Sequence, residues 1–302
     1  MSTVVRLALA VLVSFVSVTT AAAQAAARPG ILLLAHGGAE SWNNNVLAIA
    51  RDVEGTHPVE VAFGMATRAN IQGAIDRLTA KGATEIVAVP LFVSSHSSVV
   101  RSTEYLLGLR ADAPADLARF AKMSHGSAGG DHASHGAAAA EDGTRPIETR
   151  LPVRMTSALN NHALLAAIVA DRAHSISTAP VKEHVILVAH GPVQDADNAL
   201  WLADMRALAS HVQGYAGVDL LSLRDDAPAP VRDAATAQLR DMVTRARAKG
   251  HDVLIVPVLL SYGGIEPGLR TRLDGLDYRL PQQGIAPDAR LAQWVLTTSG
   301  AR

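Results

Sequence analysis

One apolar run occurs twice in this chain, and both times it ends in His-Gly. Residues 31–36 read ILLLAH and lead into Gly37 and Gly38. Residues 185–190 read VILVAH and lead into Gly191. An unbroken apolar run of this length, with no polar alternation, is the pattern of a strand buried on both faces of a parallel sheet. The echo continues, since AKGATEIVAVPLFVSSHSS over 80–98 matches AKGHDVLIVPVLLSYGG over 248–264. In both, a helix closes at Lys-Gly with the glycine as its C-terminal cap. An apolar strand then runs into Pro90 or Pro257 and on to a polar loop. Helical spacing precedes each strand, carried by Ile71, Ala74, Ile75 and Leu78 in 71–82 and by Leu239, Met242, Val243 and Ala246 in 233–250. A weaker echo relates 151–173 to 278–296, each a short strand, a turn and a helix. Asn160 or Asn161 is the expected helix cap there.

Strands alternating with helices predict an α/β chain of two duplicated, doubly wound parallel-sheet lobes facing a central cleft. The lobes are placed at 28–180 and 181–302. The pattern stops over 123–144, a flexible insertion of Gly, Ala, Ser and His. His125, Asp131, His132 and His135 make that segment a metal-capture candidate, with a plain spacer as the other reading. Residues 1–27 have the order of a secretory signal: Arg6, the apolar core LALAVLVSFVSV, and Ala21 and Ala23 before Gln24. That core is shorter than a membrane span. The expected mature protein is exported to a periplasm and keeps no span.

Composition narrows the chemistry. The 302 residues include no cysteine and twelve histidines, and the net charge is -1. Thiolate metal sites and thiol catalysis are excluded, and the charge balance argues against a nucleic-acid partner. There is no G-x-x-x-x-G-K-[ST] phosphate loop and no G-x-S-x-G elbow. In open parallel sheets, ligands bind beyond the carboxyl ends of strands. His36 closes the first strand, and His96 follows the strand that ends at Pro90. Together they form a candidate half-site for a divalent metal. The other reading makes His36 a turn residue bonded to backbone and His96 an exposed loop residue. His190 repeats His36, but Tyr262 stands where His96 stood, which leaves the second half as a wall of the cleft. His162 is expected to face the cleft or solvent. His57, His174, His184, His211 and His251 are expected at the surface.

A buried strand ending in A-H-G, a second ending in P-L-F-x-x-x-H, and the tandem repeat of the unit resemble the class II tetrapyrrole chelatases. These are the CbiX-like sirohydrochlorin cobaltochelatases and their ferrochelatase and nickel-chelatase relatives. The resemblance implies a chelatase-like fold of two α/β lobes with the site between them. It also implies ATP-independent insertion of a divalent metal into sirohydrochlorin or a related tetrapyrrole. The metal, as substrate, would be Co²⁺, with Ni²⁺ or Fe²⁺ as alternatives, held by His36 and His96. Gly37 and Gly38 N–H groups, Ser95 and Arg101 are then candidates to hold substrate carboxylates. The partner is a small tetrapyrrole, and a homo-oligomer fits the same picture. One departure stands out. In VEVAFGMATRAN, Met65 and Arg68 occupy the stretch where the family carries an acidic residue, with Glu40, Glu60 and Glu104 as substitutes. An exported, non-catalytic metal- or haem-binding protein on the same fold is the alternative function.

Overall fold

The structure, a computed structural model, describes residues 27–55, 57–124, 142–263 and 265–301. Nearly all of the expected signal segment lies outside these residues, as do His125, Asp131, His132 and His135 of the insertion.

The first half runs β1 (Pro29–Ala35), α1 (Glu40–Glu54), β2 (Val59–Phe63), α2 (Arg68–Ala80), β3 (Glu85–Pro90), α3 (Ser98–Leu106), α4 (Leu117–Ser124), β4 (Val153–Met155) and α5 (Ala163–Ser175). The second runs β5 (Glu183–Ala189), α6 (Asp195–Ala209), β6 (Gly217–Ser222), α7 (Ala229–Ala248), β7 (Asp252–Pro257), α8 (Glu266–Arg272) and α9 (Arg290–Ser299). Among the described residues the sheets have the orders β2-β1-β3-β4 and β6-β5-β7, with parallel pairing throughout. The twice-repeated apolar runs are therefore the central strands, β1 and β5, covered on both faces as their composition demands.

The expected fourth strand of the second half shrinks to one parallel bridge, Leu254 to Arg279. Arg279 N–H donates to Val253 O at 2.8 Å, and Ile255 N–H donates to Arg279 O at 2.8 Å. The next residue in ladder phase is Pro281, which has no N–H to give, so pairing stops. In the first half the same phase falls on Arg154 and Thr156, and Thr156 N–H bonds Ala88 O at 2.9 Å.

The period of two along each central strand sorts residues between cores. Ile31, Leu33 and Ala35 of β1 share one core with Val185, Leu187 and Ala189 of β5. Leu32 and Leu34 face α2, α3 and α4, while Ile186 and Val188 face α7 and α8. Each fully buried Leu or Ile contributes about 2 kcal/mol, which holds every strand in register.

The lobes are separate in sequence but not in space. Helix α5 of the first half packs on α6 and β7, and α9 of the second half packs on α1 and β3. Leu165, Ile168 and Val169 of α5 and Leu291, Trp294 and Val295 of α9 all lie in the shared core. Polar contacts reinforce the exchange. Arg172 donates to Gly284 O at 2.7 Å and Ile285 O at 3.1 Å, and Arg290 pairs with Asp171 at 2.7 Å.

Two local expectations change. Helix α5 is capped by His162, whose Nδ1 accepts Leu164 N–H at 3.1 Å, because Asn160 sits at φ 45° and its side chain is used elsewhere. His57, His184 and His251 are half-buried instead of exposed. His184 reaches Asp219 at 2.9 Å and stacks on His251, with centroids 6.2 Å apart.

Candidate functional site

Both central strands end in the same turn. Gly37 has φ +82° and Gly191 φ +75°, a region open to glycine and strained for other residues. At Gly191 a Cβ would also lie 2.5 Å from the Ser222 Cβ. The turn swings the preceding imidazole out of the strand. His36 Nδ1 lies 2.7 Å from Gly37 O, and His190 Nδ1 lies 2.9 Å from Gly191 O. A carbonyl only accepts, so these bonds assign the proton to Nδ1 and leave the Nε2 lone pair free. A ring oriented in this way by its own backbone is prepared to bind a metal or take a proton.

Both histidines line one cavity of about 480 Å³ at the carboxyl ends of the two sheets. That is the size of an ordinary small-molecule site, at the position expected for this class of sheet. Its walls are mostly apolar, with Leu91, Phe92 and Phe120 on one side and Val258 and Leu260 on the other. Trp42 of α1 and Trp201 of α6 add two indoles.

His96 goes elsewhere. The loop after β3 is pinned from several directions. Ser95 N–H donates to Asn160 Oδ1 at 2.7 Å, Ser95 Oγ accepts Ala158 N–H at 2.9 Å, and Ser94 Oγ accepts His96 N–H at 3.1 Å. Ser97 then caps α3 by accepting Val100 N–H at 3.3 Å. This path carries the imidazole toward α6, where His96 Nε2 is 3.5 Å from Asp204 Oδ2. Burial pushes the Asp204 carboxyl above its ordinary range, with the His96 charge working the other way. His96 is not among the described residues of the cavity wall, whereas His36 is. Adjacency of β1 and β3, the condition for the expected pair, is met; the loop decides where the second side chain points.

Of the other expected substrate contacts, Gly37 lines the cavity, while Gly38, Ser95 and Arg101 are engaged within the protein. Arg101 holds Asp197 through two bonds of 2.8 Å, which tie α3 to α6 across the halves. Gly38 N–H donates to Asn43 Oδ1 at 2.9 Å. Ser95 serves the loop just described, and Ser94, Ser97 and Ser98 are the serines around His96 that reach the wall. Met65 lines the cavity where a carboxylate was sought. Glu60 is no substitute: it pairs with Arg77 at 2.7 Å and Lys81 at 2.9 Å, and despite the opposing effect of burial they hold its carboxyl below the usual range. Arg68 donates to Arg145 O at 3.0 Å. The carboxylates at the wall come instead from the second half, as Asp197 and Asp226. Asp226 Oδ2 lies 3.7 Å from His190 Nε2. His190 was visible in the repeated A-H-G; Asp226, after β6, carried no motif.

Among the described residues, no group of three or more His, Asp or Glu side chains is close enough to enclose an ion.

The CbiX family model matches residues 30–176. The sirohydrochlorin cobaltochelatase of Methanothermobacter thermautotrophicus is 31% identical over 83 residues, 26% of this chain and 58% of that protein. The chain thus spans about 58% of the length of that curated relative. Among solved structures, SirB of Bacillus subtilis with Fe³⁺ superposes with TM-score 0.57 at 15% identity, over 91% of this chain and 96% of that one. The sirohydrochlorin chelatase SirB of Bacillus subtilis subspecies spizizenii, in complex with cobalt, gives 0.53 at 14%, over 90% and 94%. These structural likenesses establish the fold. The match to the CbiX family lies in the first half, over residues 30–176, and the fold of the solved chelatases extends over both halves.

Proposed function

We propose that the protein inserts a divalent metal, Co²⁺ with Ni²⁺ or Fe²⁺ as alternatives, into sirohydrochlorin or a related tetrapyrrole, and that its two halves divide the work. The observation that carries this reading is the pair of strand-end imidazoles, His36 and His190, each held through Nδ1 by its own backbone at one cavity. His36 has no carboxylate partner among the described residues, which suits a neutral nitrogen donor. Neutral imidazole is a good ligand for these ions. His190 faces Asp226, so a proton taken at its Nε2 would be met by negative charge. Entry of the metal forms bonds to the ring nitrogens and breaks two N–H bonds. One proton passes to His190 Nε2 and the other to water in the open cleft. Base catalysis of this kind is worth about 10²–10⁴-fold in rate. No phosphate loop is needed, which agrees with the sequence.

In this reading His96 and Asp204 position α6 against the first half, and Arg101 does the same through Asp197. The expected export rests on residues 1–27 and is retained as part of the proposal. The alternative, a non-catalytic metal- or haem-binding protein, draws support from Met65 at the wall. Incubation of purified protein with free-base sirohydrochlorin and Co²⁺, followed by absorbance, separates the two. Turnover beyond one equivalent supports the chelatase; saturable binding with no turnover supports the alternative.

A further inference from the structure

The cavity's charge and surface specify which tetrapyrrole it takes, an inference that rests on the tetrapyrrole reading above. Arg119 is the one Lys or Arg side chain among the described lining residues, against Asp197 and Asp226. It is already matched by Asp116 at 3.3 Å and lies over the Phe120 ring at 5.2 Å. Two further arginines near the wall are also committed. Arg101 holds Asp197 in a two-bond pair. Arg224 donates to Pro192 O at 3.1 Å and to Val193 O, and pairs with Asp195 at 2.6 Å. Among the described lining residues the carboxylates Asp197 and Asp226 outnumber the one guanidinium, Arg119. Among the described lining residues, a macrocycle bearing many carboxylates would meet one guanidinium, Arg119, already beside a carboxylate. Desolvating such groups without partners is costly. The same wall offers Trp42, Trp201 and Phe92, whose rings suit a flat, largely apolar macrocycle.

We infer that the cavity selects a tetrapyrrole with few carboxylates, of the dicarboxylate porphyrin class, over the polycarboxylate sirohydrochlorin. Trp201 of α6 supplies one of the aromatic faces that favour it. The test is equilibrium titration of the full-length protein, without metal, with free-base deuteroporphyrin and with sirohydrochlorin, read by the shift of ligand absorbance. The expected result is at least tenfold tighter binding of deuteroporphyrin, with little dependence on salt. Trp201→Ala should weaken deuteroporphyrin about tenfold, and Trp201→Phe, which keeps the aromatic face and controls for folding, should recover most of it. Tighter binding of sirohydrochlorin, weakening steeply with salt, would overturn the inference and leave the tetrapyrrole reading intact. Binding of neither ligand would overturn both. Equal loss in Trp201→Ala and Trp201→Phe would remove the Trp201 aromatic face as a source of the selection.

Discussion

The ends of β1 and β5 are the same turn in two settings, and the setting assigns the role. Each strand delivers Ala-His-Gly, and each imidazole bonds the following carbonyl through Nδ1. The second copy has a carboxylate, Asp226, at 3.7 Å from the other nitrogen; the first has none among the described residues. Duplication thus supplies two equivalent rings, and in the proposed reading one neighbour after β6 separates a nitrogen donor from a proton acceptor. The loops after β3 and β7 diverge further. One carries His96 to Asp204, and the other carries Tyr262, whose hydroxyl meets Arg270 at 3.3 Å.

The comparison can be broken in four places. The largest effect is expected at His36: His36→Ala should lower metal insertion at least 10³-fold and abolish tight Co²⁺ binding in calorimetry, with the circular dichroism spectrum unchanged. Next is the buried joint that starts the second half. Glu183 is fully buried and receives Ser177, the N–H groups of Thr178 and Ala179, and Arg279 at 2.5 Å. Burial opposes its ionisation, yet these donors hold its pKa at about 2, down from 4.5. A depressed carboxylate stabilises the fold above its unfolded pKa and loses that contribution as pH falls through the folded one. Glu183→Ala should therefore cost about 3 kcal/mol at pH 7 in urea unfolding. The gap between wild type and variant should narrow from about pH 4.5 down to about pH 2.

Asp226→Asn is expected to lower kcat about tenfold while Co²⁺ affinity stays within twofold, because it removes the charge that would face a proton on His190. The smallest effect belongs to His96. His96→Ala should leave insertion and Co²⁺ affinity within about twofold, since its ring faces Asp204. A loss comparable to that of His36→Ala would restore the His36/His96 pair and end the division between halves.

Much of the fold was legible because buried parallel strands are written as apolar runs, and the duplication located both central strands and their turns. What escaped depended on distant residues. The direction of His96 is set by a loop tied to Asn160, 65 residues away, and local spacing cannot report such a tie. The exchange of α5 and α9 escaped because an apolar helix face does not say which sheet it will cover. The shortened fourth strand was readable in principle, from Pro281 in ladder phase. Asp226 had no signal, as a lone carboxylate in a turn after β6 looks like any solvated residue until His190 is placed beside it.

The central claim is that His190, in the half first read as a wall, takes the proton while His36 holds the metal. The most direct test is kcat for metal insertion at saturating metal and tetrapyrrole, in wild type, His190→Ala and His190→Gln. The prediction is a kcat about 10²-fold lower in both variants, with Co²⁺ affinity unchanged. A near wild-type kcat in His190→Ala, or a loss of Co²⁺ affinity as large as that of His36→Ala, would contradict the account.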